Sequence, residues 1–347
     1  MSAPTHPTRQ HGAELAIETR SLVKRFGAAK GLAELMLEWK LETGMDPADR
    51  EEEARQRSFE KELGVATALA GLDLEVPAGA VYVLAGPNGA GKSTALKVLL
   101  DLERADHGTA RVLGIDTASD PALARAQIGY VPETSETGYE WLTAGRFLRR
   151  HAAYFDTWDA DYAGLLCRRL RVPLDGAMRS LSKGALRSVL LVSALAHRPP
   201  VLLLDEPTDG LDPLAREELA ALLVDHMAEA PTTLLWSTHH VHEVDRLADH
   251  VGVLREGRLV LQAPRDELRL HLRRYRAQVP EGWEGAPGLN GEVLLRQGTE
   301  REIEWTVWGR EDEVAARLSA AGATVREAAP LSLEDATLAL LRAGRTA

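Results

Sequence analysis

A glycine-rich segment between an apolar run and a helical pattern constrains this chain more than any other feature. Residues 80–85 read AVYVLA, a continuous apolar run typical of a buried parallel strand. Residues 86–94 read GPNGAGKST and fit the pattern G-x-x-x-x-G-K-[ST], and a helical pattern begins near Lys92. A strand, a glycine-rich loop and a helix in this order bring backbone amides and a helix N-terminus to phosphate oxygens. The segment therefore predicts an α/β protein with a phosphate-binding site.

The loop also predicts separate roles for its polar residues. Its glycines let consecutive N–H groups converge on phosphate, while Lys92 is expected to reach the β- and γ-phosphates and Ser93 to hold Mg²⁺. The nucleotide contacts predicted here come from Gly86, Asn88, Gly89, Ala90, Gly91, Lys92, Ser93 and Thr94.

A second apolar run ends in two adjacent carboxylates. Residues 201–204 read VLLL and are followed by Asp205 and Glu206. At the end of a buried parallel strand beside the phosphate loop, Asp205 is placed to hold Mg²⁺ through water and Glu206 to polarise an attacking water as a general base. Without the loop, the same pair could merely cap the next element.

Composition excludes several other classes of protein. Of the 347 residues, 45% are hydrophobic and 27% are charged, as in an ordinary soluble globular chain. The single Cys167 excludes an intrachain disulfide, and the net charge of −11 argues against coating nucleic acid by charge alone. No apolar run suits a membrane span or a signal peptide. We therefore expect a cytoplasmic protein whose role at a membrane would go through a partner.

Patterning along the chain suggests the domain organisation. Residues 1–12 are a flexible tail, residues 13–265 form the nucleotide-binding domain, and residues 266–347 form a small accessory α+β domain. Inside the large domain, residues 30–65 read as an inserted helical hairpin that is either a solvated packing element or a docking element for a partner. Residues 134–185 are expected to form a mainly helical subdomain.

Local patterns predict further elements at the two ends. Residues 15–22 alternate weakly and suit a strand, and residues 24–27 suit a turn. In the accessory domain we expect a hairpin of residues 292–296 and 302–307, a helix over 311–321, and a last helix that begins after Ser332.

Several motifs together resemble the nucleotide-binding subunit of an ABC transporter. Residues 86–94 resemble its Walker A loop, residues 201–206 its Walker B strand, and residues 208–213 its D-loop. LSKGA at 181–185 resembles the LSGGQ signature, and residues 237–239 resemble the switch-histidine segment. The resemblance covers residues 14–263 and implies a P-loop NTPase with a RecA-like core, an antiparallel β edge and a helical signature subdomain.

The resemblance implies roles for residues that the spacing alone does not explain. Two cassettes would close head to tail around two Mg-ATP molecules, with Ser182 and Gly184 of one subunit contacting the ATP of the other. His239 would bind the γ-phosphate and act in catalysis with Glu206 and Lys92. The resemblance also implies that Asp212 takes part in binding the nucleotide. Phe26 would stack on adenine, although a core position is the alternative for this ring.

Three positions depart from the family pattern. Lys183 replaces a glycine and Ala185 a glutamine of the signature, and Glu133 stands where the family usually has a glutamine that binds Mg²⁺. Glu133 and the LSKG segment resemble a subgroup of bacterial multidrug- and antibiotic-type exporter subunits.

This likeness implies an ATPase that lies on the inner face of the cell membrane. Its partners would be a separate transmembrane permease and a second cassette, identical or related, and no nucleic acid is expected. The alternative function is a soluble, non-transport ABC ATPase that acts on nucleic acid or ribosomes. A cassette that binds ATP with little turnover fits less well, because Glu206 and His239 are both present.

Overall fold

A computed structural model describes residues 14–27, 65–133, 138–283, 285–286, 289, 293–299 and 301–343. The predicted tail at 1–12 and, except for Val65, the predicted insertion at 30–65 lie outside the described residues. In chain order the elements are β1 (Leu15–Phe26), β2 (Ala66–Pro77), β3 (Val81–Ala85), α1 (Lys92–Leu99), β4 (His107–Val112), β5 (Ile115–Asp116), α2 (Pro121–Ala126), β6 (Ile128–Val131), α3 (Ala144–Ala152), α4 (Ala160–Arg169), α5 (Lys183–Leu195), β7 (Val201–Asp205), α6 (Pro213–Glu229), β8 (Thr233–Thr238), β9 (His250–Arg255), β10 (Arg258–Pro264), α7 (Arg265–His271), β11 (Leu272–Gln278), β12 (Val293–Gly298), β13 (Glu302–Trp308), α8 (Glu311–Ala320), β14 (Thr324–Pro330) and α9 (Leu333–Ala343).

A six-stranded sheet forms the centre of the large domain. Its order is β10-β9-β3-β8-β7-β6, and all neighbours except β10 and β9 pair in parallel. Every residue of β3, β7 and β8 is buried, which is why these strands read as unbroken apolar runs. The predicted strands at 80–85 and 201–204 are confirmed, and the carboxyl ends of β3, β8 and β7 lie side by side at one edge of the sheet.

A second sheet forms the antiparallel edge. Its order is β2-β1-β4-β5, and β1 pairs with both β2 and β4. The predicted turn at 24–27 is wrong for its first three residues, since β1 continues to Phe26, which pairs with Ala66. The long partner strand β2 offers ladder hydrogen bonds that keep Lys24, Arg25 and Phe26 in the strand, and the chain bends only at Gly27.

The stretch at 139–180 is mainly helical, as predicted. It contains α3, α4 and a short 3-10 turn, Met178–Ser180, and α5 follows. The three helices begin at side chains that accept a hydrogen bond from the first turn, namely Thr143, Asp159 and Ser182. Their apolar faces join the same core as the inner face of the central sheet.

The C-terminal residues form a third sheet of order β12-β13-β11-β14, with α8 against it. The predicted hairpin and both predicted helices are present, and Ser332 Oγ accepts a hydrogen bond from Asp335 N–H at 3.1 Å. The last helix, α9, does not stay with this sheet alone. Leu333 and Leu340 belong to the core cluster of the large domain, and Arg255 Nη1 donates to Leu341 O at 3.0 Å.

Among the described residues, no helix combines the length and the apolar character that crossing a bilayer requires.

Two histidines are buried where helices pack on the central sheet. His197 follows α5, and its ring stacks on Phe155 with centroids 3.9 Å apart. His226 lies on α6, with Nδ1 at 2.8 Å from the hydroxyl of Tyr162. Burial lowers the pKa of each imidazole to about 4.

These histidines should make folding stability sensitive to acid. Because the folded-state pKa lies below that of the unfolded chain, their contribution is complete above about pH 6.5 and is lost as the pH falls towards 4. The free energy of unfolding, from urea titrations between pH 7 and 5, should fall by up to about 1.4 kcal/mol per pH unit for each histidine. His197→Phe, which keeps the stacked ring, should give a shallower dependence, and an unchanged slope would contradict the assignment.

Candidate functional site

The glycine-rich loop turns at the carboxyl end of β3, and close backbone contacts fix its residues. A Cβ atom on Gly86 would lie 2.3 Å from the carbonyl oxygen of Leu254, and one on Gly91 would lie 2.3 Å from that of Ala68. Gly91 also has a φ of 106°, a conformation that side chains disfavour. Both positions therefore require glycine for the loop to keep this path.

The loop directs one buried cation towards its own concave side. Lys92 is 5% exposed, and its Nζ lies 2.9 Å from Gly86 O and 3.3 Å from Pro87 O. The N-cap residue of α1 is Gly91, and among the described residues no side-chain cap hydrogen bond occupies the first N–H groups of the helix, which can therefore serve another acceptor. Asn88 and Gly89 are exposed at the tip, Ala90 is buried, and Ser93 and Thr94 are half-buried on the first helical turn.

Glu206 lies beside Lys92 in a strained backbone conformation. Its φ is 45°, and its side chain is buried at the end of β7. Glu206 Oε1 lies 3.3 Å from Lys92 Nζ and 2.8 Å from His239 Nδ1, and Oε2 accepts the His239 backbone N–H at 3.3 Å. The structure thus brings Lys92, Glu206 and His239 together, including a contact between Glu206 and His239 that the sequence did not predict.

Two further carboxylates, those of Asp205 and Glu133, lie near Ser93. Asp205 is buried, accepts a hydrogen bond from Ser237 Oγ and contacts Ser93. Burial raises the pKa of Asp205, and the hydrogen bonds from Ser237 and Ser93 oppose that shift. Glu133 Oε2 lies 3.5 Å from Ser93 Oγ.

These oxygen donors fit Mg²⁺, a hard cation that binds one or two protein oxygens and completes its shell with water and phosphate. Within the described ranges, no three His, Cys, Asp or Glu side chains are placed to hold a metal among themselves. A site shared between Ser93, the two carboxylates and a ligand's phosphate is consistent with that finding.

The signature-like and D-loop-like segments contact each other. Lys183 Nζ lies 2.7 Å from Asp209 Oδ2. Ser182 caps α5 by accepting the Ala185 N–H at 3.2 Å, and a Cβ on Gly184 would lie 3.6 Å from Leu211 Cδ2. Within the part of the chain that the structure describes, neither Ser182 nor Gly184 makes a polar contact with Lys92, Glu206 or His239.

Asp212 has a local structural role in the same region. Its carboxylate accepts the Ala215 N–H at 2.9 Å and so caps α6. Its predicted contact with nucleotide stays a prediction.

Phe26 ends β1 beside the bend at Gly27. Its ring is 37% exposed, and Lys24 Nζ lies 4.9 Å from the ring centroid. This exposure disfavours the alternative of a core position and leaves one face accessible for stacking. Stacking on adenine stays a prediction.

Two residues of the site were missed from the sequence. Ser237 pairs with Asp205 in the register of β7 and β8, which requires the sheet order to be known. Arg187 is fully buried and donates hydrogen bonds to the carbonyl oxygens of Pro132 and Glu133. Its signal in the sequence was an arginine one turn into α5, a mainly apolar helix that begins at Lys183.

Comparisons with known proteins agree with this geometry. A family model described as ABC transporter matches residues 69–209, and one described as "AAA domain, putative AbiEii toxin, Type IV TA system" matches residues 176–245. The daunorubicin/doxorubicin resistance ATP-binding protein DrrA of Streptomyces peucetius is 36% identical over 59% of this chain and 63% of that protein. The bacitracin transport ATP-binding protein BcrA of Enterococcus faecalis is 33% identical over 62% of this chain and 70% of that protein.

A solved structure, described as the ATP binding subunit of an ABC transporter, is 27% identical and superimposes with a TM-score of 0.57. The match covers 73% of this chain and 92% of that one. The P-loop fold, the match to the ABC transporter model and relatives above 30% identity lead to one conclusion: this chain belongs to the ATP-binding cassette family of ABC transporter ATPases.

Proposed function

We propose that this chain hydrolyses Mg-ATP as the cassette subunit of an exporter and drives a separate membrane-spanning subunit. The observation that carries the catalytic part is the cluster in which Glu206 contacts both Lys92 and His239 at the end of β7. A cation, a carboxylate and an imidazole at the mouth of a glycine-rich loop are the groups that hydrolysis of a phosphoanhydride needs.

Each residue has one proposed role. The loop amides and Lys92 bind phosphate oxygens, and Glu206 orients the attacking water and accepts its proton. His239 holds the Glu206 carboxylate through Nδ1 and presents its other nitrogen towards the γ-phosphate position. Ser93, Asp205 and Glu133 would hold Mg²⁺, which neutralises charge on the phosphates when it is bound.

A second cassette would complete the site. Ser182 and Gly184 lie at the N-terminus of α5, where backbone N–H groups and a helix dipole favour an anion. They make no polar contact with the Lys92 cluster of their own chain within the described residues. A head-to-tail dimer, formed with a copy or a related chain, would bring them to the partner's ATP.

The transport part of the proposal rests on relatives whose names state drug resistance, bacitracin transport and Nod factor export. By analogy, the chain would lie on the inner face of the cell membrane beside a polytopic permease. The predicted insertion at 30–65 would contact that partner, and the C-terminal unit from residue 266 would be an accessory domain.

Affinity purification tests the transport role. The tagged full chain, recovered from detergent-solubilised membranes of its own host, should carry a polytopic membrane protein in near-stoichiometric amount, and this complex should release phosphate from ATP. A chain lacking residues 30–65 should bind less of that protein. Recovery with ribosomes or DNA, and with no membrane protein, would contradict the proposal.

A further inference from the structure

One buried cation on α5 is tied to the segment that carries Glu133. The guanidinium of Arg187 donates to the main-chain oxygens of Pro132 and Glu133, with Nη2 at 2.9 Å from Glu133 O. A guanidinium is planar and holds its donors in a rigid fork, so two such bonds fix both the position and the orientation of the backbone they reach. Pro132 and Glu133 are therefore expected to follow α5 if that helix moves.

The same segment presents a side chain to the metal side of the site. Glu133 Oε2 faces Ser93 Oγ, which lies on the first turn of α1. The charges of Asp209, Asp205 and Glu133 act on Arg187 and offset part of the cost of burying it. A shift of the backbone at residue 133 would change the distance between Glu133 and Ser93 directly.

A second link joins the same helix to the Glu206 segment. Lys183 lies one turn before Arg187 and pairs with Asp209, whose N–H donates to Glu206 O at 3.1 Å. The side chains of this ion pair are about half exposed, so it is the weaker constraint. The N-terminus of α5, which Ser182 caps, is thus connected to both carboxylate-bearing segments, with Arg187 as the buried link.

We propose that Arg187 is a positioning residue for ATP hydrolysis, which holds Glu133 against Ser93 and couples the metal side of the site to the orientation of the α5 N-terminus. Arg187 touches no reacting atom and acts through residue 133. The inference rests on the proposed function, in which that N-terminus serves the ATP of a second cassette. The competing role is a purely structural cap on two strand-end carbonyls.

Steady-state ATP hydrolysis by the full chain separates these roles. Arg187→Lys keeps the charge but cannot form two fixed hydrogen bonds, so kcat should fall about tenfold while the KM for ATP stays within about threefold. Half-saturation by Mg²⁺ should move to higher concentration. The matched control is Arg273→Lys, since Arg273 Nη2 also donates to a main-chain oxygen, Ala328 O at 3.4 Å, in the C-terminal sheet. Arg273→Lys should lower the melting temperature about as much as Arg187→Lys does, but should leave kcat unchanged.

A double-mutant cycle with Glu133→Ala tests the route. If Arg187 acts through Glu133, adding Arg187→Lys to the Glu133→Ala variant should lower kcat by less than about threefold. Equal losses in both backgrounds, or a folded Arg187→Lys protein with wild-type kcat and Mg²⁺ dependence, would overturn the inference. If Arg187→Lys does not fold, as judged by circular dichroism, Arg187→Gln is measured in the same way and against the same outcomes. Absence of phosphate release by the wild-type complex would instead contradict the proposed function, and the inference with it.

Discussion

Glu206→Gln should stop steady-state phosphate release while leaving ATP binding intact. Glutamine keeps the shape of the side chain and can still contact His239 and Lys92, but its amide cannot accept a proton from water. Loss of a general base lowers the rate by at least about a hundredfold. Because the nucleotide is bound and not consumed, the closed pair of cassettes should persist. Phosphate release measures the first effect, and size-exclusion chromatography with light scattering in ATP measures the second.

The control for this variant removes the same charge from a nearby buried carboxylate. Glu243 pairs with Arg216 and has a side chain only 6% exposed, but among the described residues its carboxylate forms no ion pair with Lys92 or His239. Glu243→Gln should lower stability and leave kcat within about threefold of the wild type. Normal turnover by Glu206→Gln would refute the assignment of the base, whether or not the dimer is seen.

Lys92→Met should abolish binding rather than turnover alone. Nζ of Lys92 is the buried cation at the mouth of the loop, where it contacts two loop carbonyls and Glu206. Methionine has a similar length without the charge, so the phosphates lose a charge-assisted donor and Glu206 loses its ammonium partner. Truncating one side of a buried charge pair costs about 2 to 5 kcal/mol, which corresponds to a loss in ATP affinity of about thirtyfold to a few thousandfold.

Isothermal titration with Mg-ATP measures this loss. Lys97→Met, on the exposed face of the last turn of the same helix, removes an equal but solvent-screened charge about one and a half helical turns away and should change the affinity less than about threefold. If Lys92→Met binds Mg-ATP as tightly as Lys97→Met, the loop does not hold phosphate in the way proposed.

The central sheet could be predicted because its strands are buried on both faces. Burial on both faces leaves an unbroken apolar run in the sequence, and the runs that form β3 and β7 were both recognised. The end of β1 was missed because Lys24, Arg25 and Phe26 look like a turn until their pairing with β2 is known. Two strands of the C-terminal sheet, β11 and β14, were also missed, since arginines and glutamates interrupt their apolar alternation.

The candidate site was predictable where its residues are close in sequence and not where they are close only in space. The loop with Lys92 and Ser93, and the strand end with Asp205 and Glu206, carry their chemistry within a few residues. The pairing of His239 with Glu206 and the burial of Arg187 depend on strand order and helix packing. Such contacts span 33 residues between Glu206 and His239 and 54 residues between Glu133 and Arg187, beyond the reach of local patterns.

The path of the last helix limits where the chain can be divided. Helix α9 is reached only after the whole C-terminal sheet, yet Leu333, Ala336 and Leu340 complete an apolar cluster that also contains residues of β3, β7 and β8. A fragment that stops at residue 265 would lack α9, so the apolar side chains of β9 and β10 on which α9 packs would face solvent and the fragment would be prone to self-association. The C-terminal residues therefore cannot be removed without exposing part of the central sheet, and a ligand or partner that displaced their sheet would disturb the packing of α9 on β9 and β10.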